Sequence, residues 1–266
     1  MMTAPHQDPI VVTRPPRIKF WVTFAIVTFL IFGSASFTGF SVIEVMINFY
    51  KGSRLLIRMF FPPAWDYTPR IIGPLLETVQ MAIVGSLIGA VVAFPVALLA
   101  SSTFISTKWV NMPVRFILNI FRTIPALVLA SLFVAVFGPG NYAGVVALFI
   151  FSFGLISKLT YESVEAIDQG EVEAMVALGA NKLEILRYGI IPQILPQYMS
   201  YTLYAFEVNV RAAAVLGYVG AGGVGQIYER ALAWRNFDRV GMIVIISFVA
   251  VLLIDLLSSA IRRRLV

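Results

Sequence analysis

The sequence predicts an all-α, polytopic membrane protein: about six transmembrane helices and one long polar loop between the fourth and the fifth. Two observations lead there. Of 266 residues, 59% are hydrophobic and 13% charged, and the mean hydropathy is +0.87. A water-soluble domain carries roughly 25% charged residues, so lipid must cover most of this chain. Apolar runs of spanning length also recur between short connectors, near 20–40, 72–101, 115–138, 142–160, 197–220 and 240–261.

The tail 1–19 is polar and Pro-rich, and closes on Arg14, Arg17 and Lys19. The run after it is longer than a signal-peptide core, despite the cleavage-like Ser34-Ala35-Ser36, so an anchor that stays is expected. Residues 41–70 do not span. Glu44, Lys51, Arg54 and Arg58 interrupt them, while Val42, Val45, Met46 and Phe49 keep helical spacing. That pattern predicts an amphipathic helix along the membrane face, ending at Pro62-Pro63, with Trp65 and Tyr67 at headgroup depth. Pro95 and Pro125 fall inside predicted spans, where packed neighbours can satisfy the freed carbonyls.

Lys and Arg near the span ends set orientation. With six spans, both basic termini share the inner side with Lys108, Arg115, Lys158, Lys182 and Arg187. The outer side keeps Lys51, Arg54, Arg58, Arg70, Arg230, Arg235 and Arg239. This arrangement puts both termini and the loop 161–196 in the cytoplasm. The net charge of +6 is scattered over loop ends, which fits a membrane surface and not nucleic acid.

Several chemistries are excluded or disfavoured. There is no cysteine, and the one histidine, His6, lies in the tail, so no metal site is expected. Gly220 to Gly225 matches G-x-G-x-x-G, but a transmembrane helix precedes it where a dinucleotide site needs a strand. Gly217, Gly220, Gly222, Gly223 and Gly225 are read instead as a flexible outer loop, a gate that a delivery protein could press. No P-loop Lys-Ser/Thr pair occurs, so the chain is not expected to hydrolyse ATP.

The polar loop is the most informative segment. Ala174, Ala177 and Leu178 share one face of a first short helix, and Gly179 can take the positive φ of a helix stop. Asn181 then caps a second helix, with Glu184 completing a capping box and Pro192 stopping it. A plain surface hairpin would account for this; a rigid docking knob would too.

The segment resembles the EAA loop of importer-type ABC-transporter permeases: Glu173, Ala174, then Gly179, then Pro192 thirteen positions on. Met175, Gly189 and Ile191 depart from that pattern. Residues 201–211, 214–225 and Phe121-Arg122-Thr123-Ile124-Pro125 resemble the phosphonate/phosphite permeases within that family. The resemblance implies that the loop seats on a separate ATP-hydrolysing subunit, with ATP and Mg bound there and no cofactor on this chain. It implies two ATP-binding subunits, a second permease copy, surrounding lipid and an extracytoplasmic binding protein. The cargo it implies is a phosphonate-, phosphite- or phosphate-like oxyanion.

Charges within spans are the other candidates. Glu207 and Arg211 stand four apart in the fifth predicted span, so they can pair on one face. Either the pair fixes packing, or Arg211 offers its fork of donors to a passing oxyanion, with Glu207 weakening the hold and Asn209 beside it. Arg122 either snorkels or lines the pathway. The alternatives are a methionine-type or other small-solute permease, a secondary transporter (no clear internal repeat is visible), or an intramembrane enzyme. The isolated Asp255 argues against the last.

Overall fold

The computed structural model describes residues 17–265. Residues 1–16, with the predicted tail's His6 and Arg14, lie outside the described residues. The described residues form two compact units that divide after Leu56.

In the first unit, α1 (Arg17–Thr38) is an apolar helix of spanning length, and α2 (Val42–Phe60) starts there as the expected amphipathic helix. No residue of α2 is buried. Its last turn belongs to the second unit.

The second unit runs α3 (Thr68–Ala100), α4 (Lys108–Thr123), α5 (Ala126–Phe137), α6 (Asn141–Glu165), α7 (Gln169–Ala177), α8 (Lys182–Glu184), α9 (Ile191–Leu216), α10 (Val224–Ala233) and α11 (Phe237–Arg262). At its centre α3 lies against α6, and α9 packs on both. Small residues permit that approach. A Cβ on Gly85 would sit 2.8 Å from the Leu148 Cβ, and one on Gly89 2.7 Å from the Ser152 Cβ. Gly-x-x-x-Gly seams of this kind let helix backbones meet where lipid supplies no hydrophobic drive. The core beside the seam holds Met81, Leu129, Leu148, Ala213 and Leu216.

Among the described residues, four helices are long and apolar enough to cross a membrane: α1, α3 with the turn before it, α6 and α11. The predicted span 115–138 is instead a broken pair, α4 and α5, bent by 87°; counted as one crossing it makes five. Ile124 and Pro125 are both extended, so Pro125 is the break itself, not a residue inside a continuous helix. Proline removes a donor and disfavours helix in the residue before it, and here both act at once. The remaining predicted span lies in α9. With 26 residues α9 has the length, but Glu207, Asn209 and Arg211 lower its apolarity, and it is not among the four.

Before the break, α4 sets Lys108, Arg115 and Arg122 seven apart on one stripe, with Trp109, Met112 and Phe116 exposed beside it. Arg122 is exposed in the last turn, its backbone N 3.5 Å from where a Cβ on Gly154 would stand. It therefore lies in the last turn of an amphipathic helix, two residues before the break.

Candidate functional site

The elbow at residues 168–193 is built from local signals. Asp168 caps α7, its Oδ1 accepting from the Gly170 amide at 2.8 Å. Gly179 takes φ +83°, and the amides of Gly179 and Ala180 donate back to the carbonyls of Val176 and Met175, both at 3.0 Å. That is a complete Schellman stop. The Asn181 side chain then accepts from the Leu183 and Glu184 amides at 3.0 Å, and the Glu184 carboxylate accepts from the Asn181 amide at 2.7 Å. Both halves of the capping box are present.

Pro192 does not stop the second helix. Six residues of π-helix, Ile185–Ile190, lead from α8 into α9, and Pro192 sits in the first turn of α9. The wider π turn leads the chain into that proline, and the Ile191 amide just before it still donates to the Leu186 carbonyl. The elbow is thus continuous with a long helix of the bundle.

Two departures from the EAA pattern fall on each other. Gly189 is buried, and a Cβ there would lie 3.0 Å from the Met175 sulfur. The longer Met175 fills the room that Gly189 leaves. Gly189→Val alone should therefore loosen the elbow, seen as faster amide exchange over residues 169–190, and adding Met175→Ala should restore protection. Gln193, which sequence reasoning passed over, ties the joint: its amide donates to Glu171 at 2.8 Å and its oxygen accepts from the Asp168 amide at 3.2 Å. Its signal was the polar residue directly after Pro192.

The outward face of the elbow is apolar without being covered. Leu178 is 87% exposed and Leu183 73%, with Glu173, Ala174 and Ala177 exposed alongside.

The predicted Glu207–Arg211 pair does not form through the side chains. Glu207 is 6% exposed, and its carboxylate accepts from the guanidinium of Arg262 at the end of α11. Arg211 reaches only the Glu207 backbone carbonyl, at 3.4 Å. Helices α9 and α11 run antiparallel, so a long side chain 55 positions away takes the carboxylate. Arg211 lies on an exposed stripe with Tyr204, Val215 and Tyr218, and borders a cavity of about 340 Å³ with Tyr228, Ser247 and Phe248. The Ser247 hydroxyl is buried without a hydrogen-bond partner. Asn209 faces inward and donates to Ser152 at 2.6 Å.

The glycine segment is close-packed, not loose. A Cβ on Gly217 would be 2.4 Å from the Gly225 Cα, one on Gly222 would be 1.9 Å from the Asn141 Oδ1, and one on Gly223 would be 2.5 Å from the Thr78 Oγ1. The Thr78 hydroxyl accepts from the Val224 amide at 2.8 Å, and the Gly140 amide donates to the Gly220 carbonyl at 2.8 Å. The glycines join α3, α6, α9 and α10 at the end opposite the elbow. Among the described residues no cluster of acidic or histidine side chains could hold a metal.

Long apolar helices on small-residue seams, with one capped elbow extending beyond them, define a multi-pass membrane protein. The chain belongs to the family described as binding-protein-dependent transport system inner membrane component, which matches residues 93–266. It is 34% identical over 202 residues to the phosphite transport system permease protein PtxC of Stutzerimonas stutzeri, covering 76% of this chain and 74% of that one. It is 40% identical over 190 residues to the phosphate-import permease protein PhnE of Mycolicibacterium smegmatis, covering 71% of this chain and 36% of that one. In three dimensions it resembles a chain of the MetNI methionine ABC transporter in an inward-facing conformation. The TM-score is 0.66 at 26% identity, over 76% of this chain and 99% of that chain.

Proposed function

We propose that this chain is the membrane-spanning subunit of an ATP-driven importer, and that its cargo is a phosphonate-, phosphite- or phosphate-like oxyanion. The cargo class rests on the relatives named for phosphite and phosphate transport. The mechanism rests on one observation: a rigid elbow that leaves Leu178 and Leu183 uncovered. Exposed large apolar side chains on a polar elbow fit a protein partner.

In this reading ATP and Mg bind a separate subunit. Two such subunits seat on the elbows of two permease copies, and an extracytoplasmic binding protein delivers the cargo. The elbow and both termini then lie in the cytoplasm of a bacterial cell. Closure of the ATPase pair moves α7, and the continuous α8–α9 path carries that motion into the bundle. The packed glycines 217–225 form the face on which the binding protein would press.

Arg211 supplies a site for the oxyanion. A cation on an exposed helix face costs about 2.5–3.5 kcal/mol against lipid at the bilayer centre, so that face suits a watered path between subunits. The guanidinium fork offers donors to an oxyanion, beside a cavity of a size usual for small ligands.

Leu178→Asp is expected to abolish co-purification of the ATP-binding subunit while the permease still inserts and melts normally. Uptake of phosphite, phosphate and methylphosphonate by cells should fall with it. Retained co-purification would overturn the docking role. Uptake of methionine and none of the oxyanions would overturn the cargo.

A further inference from the structure

Glu165 is the last residue of α6 and stands three positions before Asp168, the cap of α7. One of its carboxylate oxygens, Oε1, gathers three donors: the Ser102 amide at 2.8 Å, the Ser102 hydroxyl and the Arg115 guanidinium. Arg115 donates through Nε to the carbonyl of Ala100, the last residue of α3, at 2.7 Å. Its guanidinium also lies over the Tyr161 ring, 4.9 Å from the centroid. The ends of α3 and α6, the turn between α3 and α4, and the middle of α4 thus converge on one carboxylate.

We propose that Glu165 is a positioning residue that ties the elbow to the broken helix pair, so that displacement of α7 is delivered to α4 and α5. This rests on the reading of α7 as the segment a partner ATPase moves. A second route into the bundle exists, the apolar cluster of Leu98, Val164, Ile190 and Ile194, but it joins the elbow to α3 and α6. Helix α4 packs on α6 and α3, and the Arg115–Glu165 contact is its charged attachment beside the elbow. The two side chains are 32% and 27% exposed, and pairs in such settings add little to stability. What the contact supplies is geometry: a planar fork and two donors from Ser102 hold one carboxylate in one place.

The test uses the whole complex of permease, ATP-binding subunits and binding protein in liposomes, with phosphite as the probe. Glu165→Ala is expected to leave assembly, melting temperature and ATP hydrolysis close to wild type. ATP hydrolysed per phosphite imported should rise about tenfold, the order of a typical coupling free energy. Glu165→Gln, which can still accept from Ser102 but cannot neutralise Arg115, should fall between. An unchanged ratio in an assembled complex would overturn the proposal. So would loss of assembly or melting in Glu165→Ala, because the residue would then be holding the fold. If the wild-type permease itself failed to bring down an ATP-binding subunit, the docking reading would fail instead, and that result is visible before any variant is made.

Discussion

Replacing Arg262 by methionine is expected to cost the fold about 3 kcal/mol, the low end for breaking a buried ion pair from one side. Glu207 is 6% exposed and the Arg262 side chain 33% exposed, so the substitution strands a carboxylate that pairs with no other cation among the described residues. Thermal unfolding in detergent should show a drop of several degrees. The double variant Arg262→Met with Glu207→Gln should recover most of it, since removing both charges leaves neither unpaired. Arg211→Gln serves as the contrast. Arg211 bonds only the Glu207 carbonyl, so its loss should leave the melting point in place and lower uptake alone. A drop for Arg211→Gln equal to that for Arg262→Met would return the pairing role to Arg211.

Gly217→Val should be a severely damaging change at the far end of the bundle. The added Cβ would meet the Gly225 Cα at 2.4 Å and the Gln226 amide N at 2.6 Å. These are backbone atoms that no rotamer change can move aside. Overpacking of this kind costs about 1–3 kcal/mol or more, and here it would part α9 from α10. Reduced yield and a lowered melting temperature are expected together. A tolerated valine, melting as the wild type does, would mean that the two helix ends slide apart readily, as the predicted flexible loop would require.

The elbow's helix stop and start were legible in the sequence because the contacts that build them are short-range, whereas the Gln193 tie to Glu171 and Asp168, more than twenty positions away, was not. Asn181 and Glu184 are three positions apart, Gly179 stops the helix that ends beside it, and such signals act within one turn. Glu207 was not legible in the same way. Arg211 is its neighbour in sequence, but choosing between Arg211 and Arg262 needs the tilt of α11 against α9, which no local pattern encodes. The glycines from Gly217 to Gly225 posed the same problem, since glycine permits a loose loop as readily as a tight backbone contact. Only the positions of Thr78 and Asn141 decide between them.

Other signals were present and unread. Gly85 and Gly89 spell the small-residue seam outright. Lys108, Arg115 and Arg122 recur every seven residues, which marks α4 as amphipathic before any coordinates exist. That spacing placed beside Pro125 would have separated α4 from α5 and set Arg122 in the last turn of α4.

The corner between α4 and α5 restricts what can surround it. Helix α5 has 12 residues, about 18 Å at 1.5 Å per residue, short of the roughly 30 Å of a bilayer's hydrocarbon. A helix that short does not cross alone, and at the turn of Ile124 and Pro125 the last carbonyls of α4 are without helical partners. Hydrocarbon cannot wet such a corner. Whatever lies against it must be protein or water, which makes this bend a marker of where the bilayer stops being the solvent.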